Sequence, residues 1–373
     1  MAGLDQASWC IGAMSGTALD GVDVALVKTD GVRVFALGPS LTLDYSDADR
    51  AVLRKAVDRA VDLGARAEDD AVSEAARLLT QRHIEAVKAL VKEFDEPVEL
   101  MGFHGQTIFH NADASITWQI GEPGYLAQEI GMPVVWDMRV ADVEAGGHGA
   151  PVAPLYHAAL AQWSKTGPLA VLNLGGVANL TWLGSDQIVV DQLWDDIRAF
   201  DTGPGNGLLD DWVALHGKGR FDRDGHIASA GVVHGTILDT MLDNPWFDRP
   251  PPKSLDRHDF GLEPLRGLSL ADGAATLTAF TARTVALGLQ HFPTRPNALA
   301  VTGGGRRNPA LMAALARACD VLVEPVEYWN WRGDSLEAEA FAFLAKRSAL
   351  GLPLTVPNTT GAPRPMTGGV MVG

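Results

Sequence analysis

Ala199-Phe200-Asp201-Thr202-Gly203-Pro204-Gly205-Asn206 places one carboxylate directly before a turn built of Gly, Pro, Gly and Asn. Those residues fix or permit unusual backbone angles and leave amides free to meet a ligand. Taken alone, Asp201 also reads as a cap on the turn or on a helix starting near Leu208. Its company shifts the reading. Three more Gly-rich turns each follow a hydrophobic run: Met14-Ser15-Gly16-Thr17-Ala18-Leu19-Asp20-Gly21, Leu174-Gly175-Gly176-Val177-Ala178-Asn179 and Val301-Thr302-Gly303-Gly304-Gly305. Four such turns suggest a phosphate cradle assembled from two halves.

The runs between these turns set the fold class. Residues 8–14, 22–27 and 32–37 are short apolar stretches separated by Gly-containing turns, the pattern of an antiparallel meander. Residues 169–174 and 179–183, joined by Gly175-Gly176, repeat it, with 188–190 as a third strand. A strand at 298–302 then enters the triple-Gly turn ahead of a helix at 310–318. That step matches neither GxGxxG nor GxxxxGK[ST], which disfavours dinucleotide and Walker-type sites. The repetition predicts an α/β protein of two duplicated domains with a cleft between them.

Other segments fill in the frame. Residues 42–95 read as mostly helical, with Val72, Ala75, Ala76, Leu79, Ala86, Val87, Leu90 and Phe94 on one face and Asp69 or Asp70 as the cap. A strand at 98–103 runs into a turn carrying His104, Gln106 and Thr107. His104 and His110 have no third ligand nearby and do not make a metal site. A strand at 133–136 precedes Asp137, Arg139 and Asp142, with Gly146-Gly147-His148-Gly149 just beyond. That group suits a polyhydroxylated ligand, or equally a surface ion pair beside a flexible loop. Residues 217–262 form a long polar segment with Arg249-Pro250-Pro251-Pro252-Lys253-Ser254 in it, and a well-buried helix is expected at 277–289.

In the first turn, Ser15, Gly16 and Thr17 offer amides and hydroxyls to phosphate oxygens, and Asp20 and Asp23 offer carboxylates to a hydrated magnesium ion. A plain hairpin turn is the competing reading. Composition narrows the partners. The 373 residues suit two domains, and 47% hydrophobic against 20% charged residues can build real cores. Lys plus Arg number 30 against 46 Asp plus Glu, a formal charge of −16 that repels nucleic acid and anionic membranes, so neither is expected as a partner. With only Cys10 and Cys319, no basic and apolar leader in residues 1–8 and no run near 18 apolar residues, a reducing, cytoplasmic setting is expected.

Taken in order, MSGTALDGVD at 14–23, GFHGQT at 102–107, QIGEPGYLA at 119–127, DMRVADVEAGGHGAP at 137–151, LNLGGVANLT at 172–181, FDTGPGN at 200–206, VTGGGRRN at 301–308 and LEAEAFAFLA at 336–345 resemble the anhydro-N-acetylmuramic acid kinase family. That family lies within the sugar kinase, actin and heat-shock-70 ATPase superfamily. The resemblance implies two ribonuclease-H-like, actin-like ATPase domains flanking an ATP cleft, the first over 1–132 and completed by 355–373, the second over 133–354. It implies ATP and magnesium as cofactors, a homodimer, and 1,6-anhydro-N-acetylmuramic acid as substrate. Water would open the anhydro ring as O6 takes the γ-phosphoryl group, giving N-acetylmuramic acid 6-phosphate in peptidoglycan recycling.

By position, the resemblance makes Asp201 the base that activates water. It makes Ser15, Gly16, Thr17, Ala18, Leu19, Asp20, Gly21 and Val22 the phosphate loop, with Asp20 on the magnesium side. Gly175, Gly176, Gly203, Gly303, Gly304 and Gly305 join the nucleotide side, and Asp137, Arg139, Asp142 and Glu337 the sugar side. The chain departs from the family pattern at Ala18, where Ser is usual, at His148, where Gln is common, and at Leu255-Asp256. A kinase of another amino sugar and a non-catalytic nucleotide or sugar sensor are the alternatives.

Overall fold

The computed structural model describes residues 6–185, 190, 194–255 and 259–373. Among these the chain forms two compact units. One comprises residues 6–163, 190, 194 and Ser335–Gly373, and the other 164–185, 195–255 and 259–334.

In the first unit, β1 (Ser8–Ser15), β2 (Gly21–Thr29) and β3 (Val34–Asp44) pair antiparallel in series. β4 (Val98–Asn111) lies parallel to β1, β5 (Ile116–Ile120) folds back on β4, and β6 (Val134–Trp136) lies parallel to β4. The second unit repeats the plan. β7 (Leu169–Leu174), β8 (Val177–Leu183) and β9 (Ile197–Pro204) form the antiparallel meander, while β10 (Ala298–Thr302) pairs parallel with β7 and β11 (Leu322–Pro325) with β10. The last strand, β12 (Val370–Val372), pairs antiparallel with β6 and completes the first sheet. The orders β6-β4-β1-β2-β3 and β11-β10-β7-β8-β9 are the same arrangement twice, a ribonuclease-H-like sheet in each unit.

Local chemistry explains the elements around the first sheet. A helix at Asp47–Leu63 starts from a reciprocal cap between Ser46 and Asp49 and stops at Gly64, whose φ is 63°. The next helix, Asp70–Val91, starts where the Asp69 carboxylate accepts the N–H groups of Ala71 and Val72. Of the expected stripe, Val72, Ala75, Leu79, Ala86, Val87 and Leu90 are buried, packing with Ile11, Val24, Leu26, Met101 and Phe103 of the sheet. Each large apolar side chain buried there stabilises the unit by roughly 1.5–3 kcal/mol.

Side chains alternate across a strand, so Gly12 and Gly102 face away from that core. The helix Leu336–Ala349 lies against them. A Cβ at Gly12 would sit 1.8 Å from the Ala338 carbonyl oxygen, and one at Gly102 would sit 2.0 Å from that of Phe341. Only glycine admits a helix backbone that close.

This contact corrects the expected domain boundary. Residues 133–163 and 335–354 belong with the first unit, because β6 pairs with β4, the 336–349 helix seats on Gly12 and Gly102, and the Tyr156 hydroxyl donates to Glu339 at 2.6 Å. The third strand of the second sheet is also elsewhere than expected. It is β9, which carries Asp201, whereas Val190 lies in a turn and residues 188–189 lie outside the described residues. The long 217–262 segment contains helices at His226–Ser229 and Gly235–Leu242. Together with Trp212, Phe247 and Phe280, their residues Ala228, Leu238 and Met241 form a second core in this unit. The buried helix runs Leu270–Leu289, longer than the expected 277–289. Cys10 and Cys319 are buried free thiols, and no described helix is long and apolar enough to cross a membrane.

Candidate active site

Three of the four glycine turns meet within the second unit. The N–H groups of Gly205 and Gly207 donate to the Gly176 carbonyl at 3.0 and 3.1 Å, and that of Asn206 donates to Gly175 at 2.7 Å. Asn206 Nδ2 also donates to the Leu174 carbonyl at 2.8 Å. The third turn packs on the same spot. A Cβ at Gly303, where φ is +77°, would lie 2.5 Å from Asn173 Oδ1, and one at Gly305 would lie 2.6 Å from Leu174 Cβ. Gly203 (φ +154°) sits against Thr284, while Gly304 has open space around it. Arg306 fixes the third turn from behind: its side chain is 6% exposed, donates to the Gly303 carbonyl at 3.0 Å and pairs with Glu327 at 2.9 Å and Asp334 at 2.8 Å.

Asp201 sits inside β9, opposite Asn179, not directly before the turn as expected. The helix beginning at Gly207 takes Asn206 as its cap residue, so Asp201 does not cap it. Its main-chain N–H donates to the Lys253 carbonyl at 3.0 Å, and its Oδ2 accepts the Leu255 N–H at 2.8 Å. Burial pushes its pKa up to about 7, with the Leu255 N–H pulling the other way. A carboxylate that titrates near neutrality suits proton transfer.

In the first unit, the turn after β1 leaves Thr17, Ala18 and Asp20 exposed and Gly16 half-buried, while Leu19, Gly21 and Val22 are buried. Leu19 adopts a left-handed φ of 54° and its N–H closes the turn on Gly16 at 3.0 Å. The Ser15 hydroxyl is engaged within the protein. It donates to Gln106 Oε1 at 2.6 Å and accepts from the Tyr45 hydroxyl at 2.9 Å, a buried brace under the turn. Asp20 takes the Gly21 N–H on Oδ1 at 3.1 Å, and Asp23 accepts from Thr42 at 2.5 Å. Among the described residues no three His, Cys, Asp or Glu side chains gather as a metal site. Magnesium fits such a donor set, because it is held by one or two carboxylates together with phosphate oxygens.

The sugar-side candidates also lie in the first unit. Arg139 Nε donates to His104 Nε2 at 3.0 Å and its Nη1 to the Gly149 carbonyl at 2.7 Å. As acceptor, His104 is neutral with Nδ1–H on the Gly105 carbonyl at 3.0 Å, and burial, then the Arg139 charge, hold its pKa well below the usual value. Burial lowers the Arg139 pKa to about 10, opposed by the Glu337 and Asp142 carboxylates. Asp142 is buried and engaged by the protein itself, accepting from the Gly149 N–H at 2.7 Å, the Thr360 hydroxyl at 2.6 Å and the Thr355 hydroxyl. Asp137 has a left-handed φ of 54°, pairs with Arg66 at 3.8 Å, and has its pKa raised by burial. Glu337 is exposed in the first turn of the 336–349 helix.

Sequence reasoning had no signal for the Gln106 and Tyr45 contacts to Ser15, nor for Glu327 and Asp334 around Arg306. It did single out the run containing Lys253, without its contact to Asp201.

The anhydro-N-acetylmuramic acid kinase family model matches residues 8–373. Three relatives bearing that name are similar over nearly their whole length. The protein from Rhodospirillum rubrum is 50% identical, covering 98% of this chain and 94% of its own. That from Acidiphilium cryptum is 50% identical, with 97% of each chain covered. That from Rhizorhabdus wittichii is 49% identical, with 96% of this chain and 97% of its own. With both sheets, the glycine turns and Asp201 inside the matched span, the chain belongs to the anhydro-N-acetylmuramic acid kinase family.

Proposed function

We propose that this protein is an ATP-dependent kinase that opens the 1,6-anhydro ring of 1,6-anhydro-N-acetylmuramic acid and phosphorylates O6. Asp201 carries the reading: it is a carboxylate that, among the described residues, accepts the Leu255 N–H and titrates near 7, on the strand that leads into the glycine turns. In the reaction, the oxygen of water bonds to the anomeric carbon and its proton passes to Asp201. The bond from that carbon to O6 breaks, O6 bonds to the γ-phosphorus, and the β,γ-bridging oxygen leaves with ADP. The product is N-acetylmuramic acid 6-phosphate.

Phosphoryl transfer needs positioning and charge neutralisation more than covalent help from the protein. The Gly16–Asp20 turn, exposed at Thr17, Ala18 and Asp20, and the Gly303–Gly305 turn supply backbone amides for phosphate oxygens, and Asp20 is the residue that would hold magnesium. When bound with ATP, that ion neutralises charge on the phosphates. Arg139, Asp137 and Glu337 supply hydrogen-bonding groups for the sugar, and Asp142 braces Arg139 through Gly149. The proposal extends to a cytoplasmic homodimer working in peptidoglycan recycling, on family membership.

The test is a panel of acceptors: 1,6-anhydro-N-acetylmuramic acid, N-acetylmuramic acid and N-acetylglucosamine, each with ATP and magnesium. Phosphorylation of the anhydro sugar at least tenfold above the others is expected. Preference for an open amino sugar would point to a different kinase, and ATP binding without transfer to any acceptor would point to a sensor.

A further inference from the structure

Lys253 is 7% exposed, in a stretch of sequence whose composition suggests surface. Its ammonium makes no ion pair among the described contacts. It donates to the carbonyls of Trp246 at 3.1 Å and Phe247 at 3.0 Å and sits 4.2 Å from the centre of the Trp246 ring. Burying a cation is costly unless its donors are satisfied, and two carbonyls with an aromatic face satisfy it. The result is a closed loop from 246 to 253, pinned at both ends, with Phe247 anchored among Phe260 and Phe280.

The far side of this loop holds Asp201. The Lys253 carbonyl accepts the Asp201 main-chain N–H, and two residues on, Leu255 N–H reaches the carboxylate. No other hydrogen-bond donor to that carboxylate is described. We infer that Lys253 is a positioning residue: by closing the 246–253 loop on its own carbonyls, it fixes the backbone that sets the rotamer and the proton affinity of Asp201.

Among the described residues, the charged groups around Lys253 are Asp248, Arg249 and His291, whose Nε2 approaches the same Phe247 carbonyl at 3.4 Å; for Asp201 itself, burial and the Leu255 N–H are the described influences. Without Lys253 the loop loosens and the Leu255 N–H withdraws. Because that hydrogen bond favours the ionised form, its loss raises the Asp201 pKa.

The inference rests on the proposed role of Asp201, so its test has a readout independent of turnover. Carboxyl carbon NMR titration of 13C-aspartate-labelled full-length protein, with Asp201→Asn to assign the resonance, gives the Asp201 pKa in the wild type and in Lys253→Met. An upward shift of about one unit is expected, since a single hydrogen bond to a charged group is being lost. In the acceptor assay, kcat should fall about 10- to 100-fold with KM for the sugar within about twofold, as expected for a displaced reacting group. Lys253→Arg, which keeps donors for the two carbonyls, should restore both. Leu255→Pro, which removes that N–H while leaving Lys253 in place, reads the same NMR shift should Lys253→Met fail to fold. An unchanged Asp201 titration in a folded variant would overturn the inference. A shifted titration in the variant, beside a wild type that phosphorylates no sugar, would leave the strap standing and remove the proposed reaction.

Discussion

β1 and β7 occupy the same place in their sheets, yet the turns that follow them do opposite things. After β1, five residues bulge outward, leaving Thr17, Ala18 and Asp20 at the surface over a Ser15–Gln106–Tyr45 brace. After β7, Gly175 and Gly176 turn at once, and their carbonyls accept three N–H groups from residues 205–207. One copy of a duplicated turn has its chemistry facing out, and the other is a clamp on the end of the strand that carries Asp201. Sequence made the two turns look alike because both are glycine-rich after an apolar run. Burial and partners separate them.

The sharpest way to break the comparison is to remove the group the clamp serves. Asp201→Asn is expected to lower kcat by about 10²- to 10⁴-fold, the usual contribution of a general base. ATP affinity measured by calorimetry should hold, since the outward turn is untouched. The same substitution should raise stability. A carboxyl with a folded-state pKa near 7 and an unfolded value near 4 binds more protons when folded between those limits. The wild type therefore loses stability as pH rises from about 4 to 7, by roughly 1–4 kcal/mol at most. Thermal unfolding at pH 5 and pH 8 should show Asp201→Asn gaining over the wild type mainly at pH 8.

Glycine substitutions test the clamp against the outward turn directly. A Cβ on Gly205 would lie 2.3 Å from the Gly175 carbonyl oxygen, whereas one on Gly16 meets nothing closer than Met14 Sδ at 3.9 Å. Gly205→Ala should cost about 1–3 kcal/mol in denaturant unfolding, as overpacked sites do. Gly16→Ala should stay within about 1 kcal/mol of the wild type. Equal losses at the two positions would mean that the turns are not used differently. The smallest expected effect on unfolding is at Asp20. Its Asn variant should weaken magnesium-ATP binding about tenfold while leaving unfolding nearly unchanged, in line with one exposed charge.

Much of the frame was legible from residues alone. The first meander, the repeat that begins at 169 and the strand entering Gly303 follow from short apolar runs and the turns between them. Three things were not. β9 carries Arg198 near its start and Asp201 in its middle, so it lacks the apolar run that drew attention to 188–190. The domain boundary is set by Gly12 and Gly102 receiving a helix more than two hundred residues later, which leaves no local period to read. Lys253 and Leu255 reach Asp201 across about fifty residues through backbone groups, which every residue possesses and no sequence motif marks. Ser15 shows a further gap: its place in a glycine turn suggested a ligand contact, and nothing in that turn marks the Gln106 and Tyr45 partners that engage its hydroxyl.

The most direct test of Asp201 as the base is to incubate the protein and its Asp201→Asn variant with ATP, magnesium and 1,6-anhydro-N-acetylmuramic acid in oxygen-18 water, and to analyse the products by mass spectrometry. The wild type is expected to give a 6-phosphorylated sugar carrying one heavy oxygen at the anomeric carbon, and the variant almost none. A phosphorylated sugar without the heavy oxygen, or equal labelling by the variant, would contradict the assignment of Asp201 to water activation.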